Sequence, residues 1–412
     1  MSGICKYCGY SGTNEMMMEH AGSCDIMNYD YSPEDCKLGE MKMKKGFTTV
    51  VVGALWGDEG KGKIAAYLAY HDDYDIAVRA GTGTNAGHSI YRNDKMYKTN
   101  QLPIAGMFPN KSGKKMTLAI GSGVCVDPKK LYAEIDRFDL HDRDKIVIDR
   151  LCPVITPEHI EKESTGANYS ESHTGSTKSG TGEARVDRVK RTGPLYAEYL
   201  EELHEEHYIC GIMDYSVYGN VAKLLNEAYD SGAKIVVEGS QAYCLSLYLS
   251  DGYPVVTSDN CTTAAFIDDV GLAWNRVDEV CMVIKSAPTM VAQGCGNLPG
   301  EISKEEMHDK GLEEYGVTSG RLRRKSLTIP FDKLDESVMV NGPTYFALSF
   351  CDHIDEIPEI MQEKMTREWL SMNMPNTFAN VTEIEGRYNI PVRFIEYGKD
   401  FFAVSELENG EC

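Results

Sequence analysis

FTTVVVGALWGDEGKGK, residues 47–63, lays out a buried strand, a glycine-rich turn and the start of a helix. The β-branched run 48–52 is short and closely bounded, as a buried strand requires. The Ala, Leu and Tyr content of 64–70 predicts a helix behind it. Strand, glycine loop and helix together aim main-chain N–H groups and a helix N-terminus at phosphate. The loop departs from a Walker A turn in two ways. From Gly53 to the Gly60–Lys61 pair it is two residues longer, and Gly62 stands where a magnesium-holding Ser or Thr would follow the lysine. It carries Asp58 and Glu59 instead. A carboxylate beside phosphate is repelled unless it holds a metal or takes a proton. The loop therefore predicts chemistry as well as binding.

The chain has 412 residues, 42% hydrophobic and 25% charged, which suits a soluble protein with a sizeable core. One large α/β domain with insertions fits that length, as does more than one domain. No apolar run approaches a membrane span, and the first residues lack the basic-then-apolar layout of a signal peptide. The 13 scattered cysteines fit a reducing compartment, so a cytoplasmic protein is expected. A net charge of −21 argues against a general nucleic-acid surface. An anionic substrate would need local basic patches, and the runs 185–191 and 321–325 supply them.

Residues 1–27 read as a segment of their own. Cys5, Cys8, His20 and Cys24 give C-x2-C-x11-H-x3-C, a spacing that suits a closed tetrahedral zinc site. A cysteine-bearing leader without metal is the other reading. Residues 28–46, polar and charged with a proline, read as a linker to a catalytic body at 47–412.

Within the body, strands are expected at 74–78, 116–120, 145–149, 233–241 and 279–285. A hairpin arm is expected at 95–103 and a helix at 128–138. The first of these strands runs into RAGTGTNAGHSI, residues 79–90. Its glycines permit close approach to a ligand. His88 there is either a structural histidine or, in such a polar loop, a catalytic one. GANYSESHTGSTKSGTG, residues 166–182, is either a flexible loop or one that folds over phosphate. AKIVVEGSQ, residues 233–241, delivers Glu238 and Gln241 to a strand end, where active groups gather in parallel sheets. The cations of YGVTSGRLRRK, residues 315–325, form a carboxylate or phosphate clamp, or a solvated charge run.

WGDEGKGK, NAGH, GSTKSGTG, EGSQ, YPVVTS and VTSGRLRR occur in this order, and in order and spacing they resemble adenylosuccinate synthetase. The similarity runs from about Thr48 to the C-terminus. The string EGSQAYCLSLYLSDGYP and the length resemble the archaeal and bacteriophage branch, which includes phage synthetases acting on dGMP towards 2-aminoadenine DNA. The resemblance implies an α/β fold with a P-loop-like, mostly parallel central sheet flanked by helices, the finger-like segment preceding it. It also implies a magnesium-dependent carbon–nitrogen ligase that joins a 6-oxopurine nucleotide to L-aspartate while GTP is cleaved.

By the same resemblance Asp58 is the base, and ligates magnesium with the carbonyl of Gly87. His88 stabilises the transferred phosphoryl group. Gly57, Glu59, Gly60, Lys61, Gly62 and Lys63 hold the triphosphate, and Asp352 reads its base. Asn85, Thr177, Gln241 and Thr257 bind the purine nucleotide. Arg191 reaches its phosphate from a neighbouring subunit, implying a homodimer. Thr318, Arg321 and Arg323 hold the aspartate or the ribose. Three stretches depart from the family pattern. Phe350 replaces a lysine before Asp352, residues 289–292 read TMVA, and Lys325 and Ser326 interrupt the end of the arginine loop. IMP as substrate ranks first because Asp58 is an acid where the phage dGMP enzymes tend to carry serine. A dGMP-using synthetase ranks second. A regulatory P-loop GTPase ranks last, lacking the Walker hydroxyl.

Overall fold

The computed structural model describes residues 2–4, 11–13, 45–140, 146–170, 174–199, 217–290, 298–316, 318–359, 361 and 363–408. The chain divides into two units, Met1–Met43 and Lys44–Cys412. In the first, Ser2–Ile4 (β1) pairs antiparallel with Ser11–Thr13 (β2). Cys5, Cys8, His20 and Cys24 lie outside the described residues.

The second unit is built on Phe47–Gly53 (β3), the strand expected from the opening run. Ile76–Arg79 (β4), Thr117–Ile120 (β7), Ile146–Asp149 (β8), Lys234–Glu238 (β10) and Glu279–Lys285 (β11) follow within a few residues of their expected places. The hairpin arm is His88–Arg92 (β5) paired with Lys95–Thr99 (β6). Val217–Gly219 (β9), Thr289–Met290 (β12), Arg324–Lys325 (β13), Tyr345–Ser349 (β14), Lys364–Met365 (β15), Val392–Glu396 (β16) and Val404–Leu407 (β17) complete the strands described.

The central sheet has the order β15-β17-β16-β14-β11-β3-β10-β4-β7-β8-β9. From β9 to β16 all neighbours are parallel; β17 runs antiparallel to β16, and β15 beside it runs parallel to β17. A parallel sheet is covered on both faces, which is why its strands read as continuous apolar runs. Val50 and Val52 pack into one core and Val51 into the other. β10 divides likewise, Ile235 and Val237 on one side and Val236 on the other. No described helix is long and apolar enough to cross a membrane.

The chain works outward from β4 to β9, returns to insert β10 beside β3, then works outward the other way from β11 to β16. Such a reversal opens a crevice at the carboxyl ends of the strands, the usual ligand position in open α/β sheets. The helix Lys61–His71 starts there, behind the left-handed Gly60.

Candidate active site

The loop after β3 is closed by its own acid. Glu59 Oε1 accepts the Leu55 N–H at 2.6 Å and Oε2 pairs with Lys61 at 3.2 Å, all of it buried. Glu59 thus shapes the loop from inside. Gly57, Asp58 and Gly60 have positive φ of 82°, 53° and 75°. For Asp58, which has a Cβ, that conformation carries strain of order 1 kcal/mol. It is held at both ends of the residue: Lys285 Nζ donates to the Asp58 carbonyl at 2.8 Å, and Arg323 Nη1 lies 3.1 Å from Oδ2. The carboxylate is 23% exposed, so it meets the crevice.

Behind it, the helix Lys61–His71 presents its N-terminal N–H groups. The two loop lysines have protein partners, Lys61 on Glu59 and Lys63 on Glu396 at 2.7 Å and the Gly398 carbonyl at 3.0 Å. Gly62 packs directly under His88, half-buried Gly87 just ahead of it in the chain. Burial and then the Arg79 guanidinium push the His88 imidazole down to about 4, so the ring is neutral at neutral pH. Burial pushes the Glu238 carboxyl up, but His88 and Arg79 outweigh it and hold Glu238 below its ordinary range.

The residues assigned to the purine nucleotide converge on the same crevice from three loops. Asn85 Nδ2 donates to Thr257 Oγ1 at 3.1 Å, and Gln241, left-handed at φ 62°, lies against Gly57. Thr177 donates to Ser179 at 3.1 Å, and Ser179 bonds Thr181, which reaches Thr84 beside Asn85. Residues 174–180 therefore have a defined local hydrogen-bond pattern. The basic run after them lies mostly on the helix Thr181–Lys190, with Arg185 paired to Asp259. Arg191 caps that helix in the left-handed region and stands exposed on a cleft with Arg188 and Glu198.

The cationic run 321–325 disperses. Arg321 reaches the carbonyls of Gly175 and Ser176 at 3.4 and 3.3 Å, joining its loop to the 174–180 loop. Arg323 turns inward to Asp58 and also donates to the Trp56 carbonyl at 3.0 Å. Arg324 pairs with Glu301, and Lys325 with Glu314 at 3.1 Å. Thr318 accepts from Asn100 at 3.2 Å. Asp352 lies in the turn after β14, following Phe350, whose ring packs at Gly60 with Lys285 4.0 Å from its centroid.

Buried charges that the motifs did not assign complete the site. Arg79, Glu238 and Lys285 each end an apolar strand, at 1%, 0% and 0% exposure. A charge closing a buried run at the site end of a parallel strand is the signal that singled out Glu238 in the sequence, and it would have found Arg79 and Lys285 as well. Lys285 also pairs with Glu314. Burial raises the Glu314 carboxyl, but Lys285 and Lys325 together hold it at about 2. This pair anchors the arginine loop to the carbonyl side of Asp58.

The adenylosuccinate synthetase family model matches residues 50–217 and 212–391. Adenylosuccinate synthetase of Pyrococcus sp. (strain ST700) is 38% identical over 354 residues, 85% of this chain and 96% of that protein. The Methanocaldococcus jannaschii enzyme is 35% identical over 362 residues, 88% and 97% of the two chains. The fold is similar to the fully ligated enzyme of Plasmodium falciparum, at TM-score 0.73 and 21% identity over 88% of this chain and all of that one. It is also similar to the succinoaminodeoxyadenylate synthetase of cyanophage S-2L, a structure bound to dGMP and to dATP as an energy donor. There the TM-score is 0.68, with 22% identity over 88% of this chain and 95% of that one. With a family model matching most of its length, the chain belongs to the adenylosuccinate synthetase family.

Proposed function

We propose that the chain joins a 6-oxopurine nucleotide, IMP in preference to dGMP, to L-aspartate through a 6-phosphoryl intermediate made at the expense of GTP. The observation that carries this is Asp58, a partly exposed carboxylate on a phosphate-type loop, with Gln241 packed against that loop. Asp58 takes the proton from ring nitrogen 1, so that the 6-oxygen can attack the γ-phosphorus. His88 faces the transferred group, and Lys61 and Lys63 exchange Glu59 and Glu396 for phosphate oxygens. The aspartate amine, its carboxylates held by Thr318, Arg321 and Arg323, then displaces phosphate at carbon 6. A hard-oxygen pair, the Asp58 carboxylate and the Gly87 carbonyl, fits magnesium, which when bound neutralises charge on the β- and γ-phosphates. Exposed Arg191 serves a second subunit's purine phosphate, in a cytoplasmic homodimer.

Carbon 2 separates the two purines. IMP has hydrogen there, whereas dGMP has an amino group that must find an acceptor or water. Asp58 lies next to it, already engaged with the ring proton and metal. A donor left buried without a partner costs about 1–3 kcal/mol, roughly 5- to 150-fold in kcat/KM. Assays of the purified protein with aspartate, IMP or dGMP, and GTP or ATP are expected to show IMP ahead by that range. Asp58→Ser narrows the gap while slowing IMP turnover. Phe350, where the family has lysine before the residue assigned to the donor's base, makes ATP the competing donor, and dGMP is the competing purine. Faster dGMP turnover by the unaltered chain would establish it.

Cys5, Cys8, His20 and Cys24 hold one zinc ion in a small unit that the chemistry does not need. Metal analysis of fresh protein is expected to give about one zinc per chain. Removing residues 1–46 leaves turnover within about twofold, on the scale of surface changes remote from a site. Absence of zinc, or loss of turnover on truncation, would overturn the corresponding half of this assignment.

A further inference from the structure

We infer that Glu238, locked by Arg79, is a positioning residue for the phosphoryl transfer: it grips one ring nitrogen of His88 so that the other faces the phosphate loop. The inference rests on the role proposed for His88. Glu238 Oε1 lies 2.6 Å from His88 Nδ1, and Arg79 Nη1 lies 2.6 Å from the same oxygen. A carboxylate only accepts, so in the tautomer that serves this role Nδ1 carries the hydrogen and donates to Glu238, which leaves Nε2 for the phosphate. Arg79 Nη1 also lies 2.7 Å from Nδ1, so guanidinium and carboxylate meet the ring at the same nitrogen.

The grip is itself fixed. Glu238 Oε2 accepts the Ala105 N–H at 2.8 Å, and Arg79 Nη2 donates to the Ala86 carbonyl at 3.1 Å, two residues ahead of His88. Arg79 and Glu238 end the paired neighbours β4 and β10, opposite each other in register. The ring is thus referred to the sheet and not to its own glycine-rich loop. A loop histidine without such a tether would sample several orientations, and a misplacement of about 1 Å can cost about 10²-fold in rate.

The test is a double-mutant comparison. Glu238→Gln keeps the shape but loses the paired charge, and Glu238→Asp keeps the charge beside Arg79 but withdraws it from the ring. Each is expected to lower kcat about 10- to 10²-fold, with KM for purine and donor within about threefold. Placed in a His88→Ala chain, each is expected to lower kcat by no more than about twofold further, because the group it orients is gone. Glu238→Asp keeps the question open to refutation should the glutamine variant fold poorly. Equal proportional losses with and without His88, or a rise in KM at unchanged kcat, would overturn the positioning role. Full turnover in His88→Ala alone is a separate result: it removes the role of His88, and this inference falls with it.

Discussion

Asp58→Asn is expected to lower turnover at least about 10²-fold while leaving the fold and nucleotide binding in place, the usual scale for losing a general base. Asparagine matches aspartate in shape and also tolerates the left-handed region that residue 58 occupies at φ 53°. The carbonyl bond from Lys285 involves the main chain and survives. Arg323 loses one ionic partner but keeps the carbonyls of Trp56 and Thr289. Arg323 is buried, so some stability is lost with its ionic partner, but the asparagine Oδ1 can still accept from the guanidinium. What goes is the charge of the carboxylate, and with it the proposed capacity to accept the ring proton and to hold magnesium. Steady-state kinetics beside thermal unfolding and nucleotide binding would check it. Near-normal kcat would remove Asp58 from the mechanism.

The elements around this carboxylate were legible because each is set by short-range pattern. β3, β10 and β11 are apolar runs ending at glycine or a charge, and the helix Pro128–Arg137 opens with an aspartate cap and a proline. The partners of the buried charges were not legible. Glu238 meets His88 across 150 residues and Lys63 meets Glu396 across 333. Such pairs follow from strand order, which local spacing does not encode. The run 321–325 shows the same limit. Read as a string it is one cationic clamp; folded, Arg323 and Lys325 are buried beside Asp58 and Glu314, while Arg324 between them turns out to Glu301. The period of two along an extended segment divides a charge cluster between opposite sides.

Gly62→Ser would restore a Walker-type hydroxyl, yet it is expected to reduce turnover at least about 10²-fold and to destabilise the protein by about 1–3 kcal/mol, the range for overpacking. Residue 62 lies in the first turn of the helix Lys61–His71, where the backbone itself would accept serine. The obstacle is the neighbour. A Cβ at this position would fall 2.6 Å from His88 Cβ, 2.9 Å from its Cγ and 3.0 Å from Ile104 Cγ2. Those atoms are near-backbone groups in a packed region, and His88 is held at Nδ1 by Glu238 and so does not swing aside freely. Gly62→Ala should therefore fail as Gly62→Ser does, with kcat falling and the thermal midpoint lowered in both. Normal turnover in either would show that the ring tolerates displacement. The hydroxyl and the histidine compete for one space. This loop gives that space to the histidine, which is consistent with the metal role proposed for Asp58.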